Sequence, residues 1–183
     1  MRTLDGKMKT EKQTAYIACA PGSRFGPVWA AVSERGLVAV KMQAGEQEFV
    51  ELVKRLGFDL VVVDPDRAAG AASQVVEYLE GKRREFNMPI DWDRLLPFQK
   101  QALQATFAVP YGETTTYAEI ARQIGRPRAA RAVGRAEATN PIAPVVPCHR
   151  VLGSDGKLHG YGGPGGLGTK AWLLEMESQS KGT

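Results

Sequence analysis

The sequence predicts an α+β protein, with a small N-terminal α/β domain over residues 1–92 and a mainly helical C-terminal domain over residues 93–183. Three observations predict it. Apolar runs of strand length dominate from Tyr16 to about residue 65, two amphipathic helical patterns are interleaved with and follow them, and beyond residue 92 the texture turns to short helices punctuated by glycine. The chain of 183 residues is 43% hydrophobic and 24% charged, enough to build cores and unlike a disordered or membrane-embedded composition.

"AYIACA", "PVWAAV" and "LVAVKM" read as strands, the last two joined by a turn at "SERG". "EQEFVELVKRLG" puts Phe49, Val50, Val53 and Leu56 on one helical face and stops at Gly57. "FDLVVVDP" reads as a short buried strand closed by Asp-Pro, and "AASQVVEYLEGKRREF" as a second amphipathic helix carrying Val75, Val76 and Leu79. The domain boundary falls within "MPIDWDRLLP", Met88 to Pro97. Beyond it, "PFQKQALQATFAV", "TTYAEIARQIG" and "RPRAARAVGRAEA" are helical, and the last two, meeting at Gly125, suggest a helix-turn-helix. A glycine- and proline-rich loop containing "GYGGPGG" leads to a closing helix, "GTKAWLLEMES".

No window approaches the roughly 18 consecutive apolar residues of a membrane span. The first thirteen residues lack the apolar segment of a secretory leader. A cytoplasmic protein with two free thiols and no membrane partner is therefore expected. The net charge of +4 is compatible with nucleic acid without demanding it. Its distribution is more telling: Arg122, Arg126, Arg128, Arg131 and Arg135 fall within fourteen residues that contain no acid. Ala129, Ala130, Ala132 and Ala136 keep the same helix slim, as a close approach to a groove requires; a solvated helix packing its alanines on a neighbour would show the same pattern.

Cys148, in "PVVPCHRVLG", can be a packed core residue, a metal ligand or a nucleophile. Cys19, Cys148, His149 and His159 have no Cys-x-x-Cys or His-x-x-x-His spacing, so no metal is expected. A nucleophile needs a base to draw off its proton. His149 adjoins the cysteine, but neighbours in extended chain point to opposite faces, so a turn or a bridging water is needed to couple them.

"PCHRV", preceded by Asn140-Pro141 and by "RAVG", resembles the active-site segment of the O6-alkylguanine-DNA alkyltransferases, the methylated-DNA–protein-cysteine methyltransferases. The likeness extends in order through Phe98-Gln99, "VPYGETTTYAEIA", "GYGG" and "KAWLLEME"; the first half shares only the general layout. The resemblance implies a winged helix-turn-helix-like second domain, no cofactor, and a monomer whose partner is double-stranded DNA containing O6-alkylguanine, with O4-alkylthymine as a further candidate. The base is flipped out, and Cys148 attacks the carbon on O6 and keeps the alkyl group, once per molecule. His149 takes the thiol proton through a water, Glu177 orients the imidazole, and Asn140 ties the cysteine segment to the helix pair. Tyr117 helps rotate the nucleotide and assists the departing guanine, while Arg131 enters the duplex. Arg128 and Arg135 belong to the DNA-binding surface with Ala129 and Ala132, and Pro144, Val145, Tyr161, Gly162 and Gly163 form the substrate pocket. Without the likeness, Glu177 would pass for a solvated acid, Asn140 for a turn former, Tyr117 for a core aromatic and Arg131 for a surface charge.

Several positions depart from the family pattern. Ala102 and Leu103 stand where valine and tryptophan are common, and a longer loop with Pro164 follows Tyr161, which leaves the accepted alkyl size open. Glu137 is an acid on the groove-facing helix, where it is expected to weaken DNA affinity. Two other classes share single features of this pattern: a recognition module that binds alkylated guanine without repair, whose members replace the cysteine present here, and a cysteine hydrolase built on Cys148 and His159.

Overall fold

The apolar runs of Thr14–Ser23 (β1), Gly26–Ser33 (β2) and Gly36–Met42 (β3), buried on both faces through most of β2 and β3, form an antiparallel meander in the structure, a computed structural model that describes residues 12–179. Residues 1–11, most of the segment read for a leader, lie outside the described residues. Leu60–Val63 (β4) adds parallel to β1, giving the order β3-β2-β1-β4. β4 is not the buried strand expected from its apolar run. It is an edge strand in which Val61 packs on a core while Leu60 and Val63 are 45% and 55% exposed.

The helix Glu46–Arg55 (α1) carries Glu46 and Glu48 in its first turn and Lys54 and Arg55 in its last, matching the helix dipole. Its Phe49 and Val53 pack against Trp29 and Ala31 on one face of the sheet. Pro65–Leu79 (α2) starts six residues before the expected position, because Asp64 and Pro65 begin a helix as well as ending a strand: the Asp64 side chain accepts from the Arg67 N–H and proline occupies the first turn. α2 lies on the other face, where Val28 and Ala30 meet Ala72, Val75 and Leu79. That core also contains Leu103, Ile142, Val145, Val146 and Leu173, so residues from both halves of the chain fill it.

The second half contributes Pro97–Phe107 (α3), Thr115–Thr116 (β5), Tyr117–Gln123 (α4), Ala130–Ala138 (α5), Val151–Leu152 (β6) and Leu167–Gln179 (α6). Thr116 caps α4 through the Glu119 N–H. The helix ends in a Schellman turn: Gly125, at φ +71°, donates to Arg122 O and Arg126 donates to Ala121 O. α3, α4 and α5 enclose a small core of Ala102, Ile120, Ala121, Val133, Ala136 and Val151. The parallel pair β5–β6 ties the cysteine segment to the start of α4. Among the described residues no helix is long and apolar enough to cross a membrane.

Candidate active site

Asn140 builds the approach to the cysteine. Its Nδ2 donates to Val146 O (2.9 Å) and its Oδ1 accepts from the Ile142 N–H (3.0 Å), closing the loop that carries Pro144 and Val145. Val40 of β3 donates its N–H to Pro141 O (2.8 Å), docking that loop on the sheet. The chain then makes a single 3-10 turn, Cys148–Arg150, so Cys148 and His149 are not on opposite faces of an extended strand. All three residues of the turn are buried. Burial, reinforced by the nearby Glu137 carboxyl, pushes the Cys148 thiol up to about 12 against the opposing influence of Asn140 and Lys170.

Glu177 of α6 is fully buried, not a solvated acid. Its Oε1 lies 2.9 Å from His149 Nε2 and accepts from Tyr78 Oη and Arg150 Nη2, while Oε2 accepts from Arg150 Nε (2.9 Å) and the Gly112 N–H (2.8 Å). Burial would raise this carboxyl, but the hydrogen bonds from His149, Arg150 and Tyr78 outweigh it and hold the group at about 2. His149 is lowered, because its burial outweighs the carboxylate's pull, and the ring is neutral near pH 7. Facing a carboxylate, Nε2 carries the ring hydrogen. Nδ1 keeps its lone pair, is buried, and has no hydrogen-bond partner among the described residues. Sequence reasoning missed Arg150 and Tyr78. Adjacency to His149 was the available signal for Arg150. Tyr78, 3.1 Å from His149 Nε2 but 71 residues away in sequence, looks like any core aromatic of α2.

A cavity of about 520 Å3 reaches Cys148 and is lined by Glu137, Asn140, Gly162, Gly163, Met42 and Leu52 among others. Gly162 is required by close approach to backbone, and a side chain at Gly163 would displace the Tyr161 ring. A Cβ on Gly162 would lie 2.4 Å from Ala138 O, and one on Gly163 would lie 2.3 Å from the Tyr161 ring. Pro144, Val145 and Tyr161, expected in the pocket, do not line it. The loop turns Val145 into the central core with Pro144 buried beside it, and Tyr161 packs behind Gly163.

On α5 and the turn before it, Arg128, Arg131, Ala132 and Arg135 are exposed and Ala129 is half-buried. Arg122 is held by Glu119, and Arg126 lies over the Phe98 ring. Glu137 departs from expectation: it points inward and is 3% exposed, with Oε1 accepting from Thr106 Oγ1 (2.6 Å). Tyr117, half-buried at the start of α4, donates to His159 O (2.9 Å), and burial with the neighbouring Glu137 and Cys148 raises its hydroxyl to about 12. Buried Lys170 donates to Val151 O (2.7 Å) and His159 O (3.0 Å), bracing the same corner. The His159 imidazole lies at the surface paired with Asp155, and no hydrogen bond joins it to Cys148. The hydrolase pairing therefore has no supporting geometry.

The chain matches two family models, the ribonuclease-like domain of 6-O-methylguanine DNA methyltransferase over residues 17–92 and the DNA-binding domain of the same family over residues 97–179. It is 37% identical over 175 residues to the inducible methylated-DNA–protein-cysteine methyltransferase of Bacillus subtilis, covering 94% of this chain and 96% of that one. It is 51% identical over 114 residues to the methyltransferase of the same name from Mycobacterium tuberculosis, covering 62% of this chain and 67% of that one. The crystal structure of the Mycobacterium tuberculosis O6-methylguanine methyltransferase superposes with a TM-score of 0.73 at 39% identity, covering 90% of this chain and 93% of that one. A structure of a Mycobacterium tuberculosis protein in complex with DNA gives 0.71 at 39% identity, covering 91% and 93%.

Proposed function

The chain belongs to the 6-O-methylguanine DNA methyltransferase family, a DNA repair family that transfers alkyl groups from DNA to its own cysteine, and from that premise we propose that Cys148 is the acceptor and O6-alkylguanine in duplex DNA the substrate. The observation that carries the assignment is the buried line of His149 and Glu177 beside Cys148, with Nδ1 unpartnered and Nε2 fixed on the carboxylate.

A thiol near 12 is neutral at rest, so the cysteine is inert until a base acts. His149 Nδ1 takes the proton through one water, and Glu177 with Arg150 and Tyr78 keeps the imidazole in the required tautomer and steadies its charged form. The sulfur attacks the alkyl carbon, an S–C bond forms and the C–O6 bond breaks. The electron pair leaves with guanine, which regains a proton, Tyr117 being the donor at the mouth. The thioether persists, so each molecule acts once. Residues 93–183 hold this machinery and residues 1–92 support it, with Tyr78 and Val40 as the supporting contacts. We assign the protein as a cytoplasmic monomer that needs no cofactor.

Base flipping costs a few kcal/mol in unstacking. Arg131, exposed on slim α5, fills the gap left by the base, while Arg128 and Arg135 meet phosphates. Replacing Arg131 with alanine should slow repair of duplex DNA far more than reaction with free O6-alkylguanine base. Equal losses on the two substrates would remove Arg131 from flipping.

The deciding experiment is the intact mass of the protein, with peptide mapping, after incubation with duplex DNA carrying O6-methylguanine. One methyl on Cys148, saturating at one equivalent, is expected. An unmodified cysteine with the lesion intact and bound would make the protein a recognition module.

A further inference from the structure

Glu137 is buried and the acceptor chemistry described above does not use it. Its Oε1 is held by Thr106 of α3, but Oε2 is buried with no hydrogen-bond partner among the described residues. The same side chain walls the cavity that reaches Cys148. The groups facing it are Thr106 from α3, the Tyr117 hydroxyl from α4, the Cys148 thiol from the 3-10 turn and the Lys170 ammonium from α6. A carboxylate with one oxygen unsatisfied in such a place is unfavourable, whereas the neutral acid leaves that oxygen uncharged. It also lies beside the atom that must become negative for the reaction to proceed.

We propose that Glu137 is a second proton-bearing group of the acceptor site, permitting thiolate formation at Cys148 as the neutral acid and suppressing it as the carboxylate. Geometry carries this: a buried carboxyl and a buried thiol share one cavity wall, and two negative charges there would repel in a medium of low effective dielectric. The titration range agrees. Burial raises Glu137 to about 7, with the Thr106 hydrogen bond and Lys170 limiting the rise, so both forms are populated near neutrality. An ordinary cysteine gains nucleophilicity steadily with pH. Here the gain is opposed across the Glu137 titration, because each molecule that ionises Glu137 makes its thiol harder to ionise. The reaction itself is unchanged: the thiol proton still goes to His149, and the C–O6 bond still breaks with its electrons leaving on guanine. As a role in repair, this rests on Cys148 being the alkyl acceptor.

The test measures Cys148 alkylation by iodoacetamide, mapped by peptide mass to separate it from Cys19, between about pH 5.5 and 8.5. The wild type is compared with Glu137→Gln, which keeps an oxygen acceptor for Thr106. The ratio of variant to wild-type rates should be near one at the acid end and rise to about tenfold at the alkaline end. Thr106→Val removes the hydrogen bond that favours ionisation, and should move the wild-type bend to higher pH. A ratio independent of pH, with no movement in Thr106→Val, would overturn the proposal. Single-turnover transfer from saturating O6-methylguanine duplex is followed in the same proteins. A rising iodoacetamide ratio with no transfer from DNA would uphold the coupling of Glu137 to the thiol and reject the repair reading instead.

Discussion

Glu177→Ala should destabilise the protein by about 3–5 kcal/mol and abolish measurable alkyl transfer, the largest effect expected of any substitution outside Cys148. The carboxylate is the counter-charge of a largely buried guanidinium and the acceptor for His149, Tyr78 and the Gly112 N–H. Removing it leaves all of them without that partner, with the Arg150 guanidinium keeping its bond to Val109 O and its place over the Tyr111 ring but losing its counter-charge. The sign with pH follows from the depressed carboxyl. In the unfolded chain the group titrates near 4.5 and in the folded protein near 2, so its contribution is fully present above about 4.5 and lost as pH falls toward 2. Denaturant titrations across that range should show wild-type stability falling with acid while the variant lacks that part of the slope. Parallel curves would mean that the carboxylate is not the ionised hub described above.

Cys148→Ala should gain no mass from O6-methylguanine duplex and still bind it. The Cys148 backbone N–H donates to Val146 O, a bond that alanine retains, and the side chain faces a cavity rather than a tightly filled core. The loss of stability should therefore be small, about 1 kcal/mol. Such a variant would hold the lesion without clearing it. Binding titrations with lesion and undamaged duplexes, read beside the intact mass, check this. A methyl found on half-buried Cys19 would move the acceptor role to β1.

Much of this was legible in the sequence, and the failures have physical causes. The α1 face was readable because Phe49 and Val53 repeat at helical spacing. β4 was misjudged because a run of apolar residues is the same whether a strand lies inside a sheet or at its edge. The inward direction of Glu137 was available: it follows Val133 by four positions and Ala136 by one, on the buried stripe of α5. The expectation of a DNA-facing acid followed the helix's charge instead of its phase. Cys148, His149, Asn140 and Glu177 were identified through family likeness, and the structure brings them together. Tyr78 could not have been found that way, since it lies in the first half, which shares only the general layout of the family, and its partner is 99 residues further along the chain.

The dependence of His149 on α6 also has a consequence in time. A ribosome completes the imidazole 28 residues before it adds the carboxylate that will orient it. Until α6 has been made and has docked, a nascent chain holds a cysteine and a histidine with nothing to fix the tautomer. A protein that spends itself on one lesion is thus assembled so that its reactive pair matures only after the rest of the centre exists. Chains cut short before α6 would carry the thiol without the chemistry.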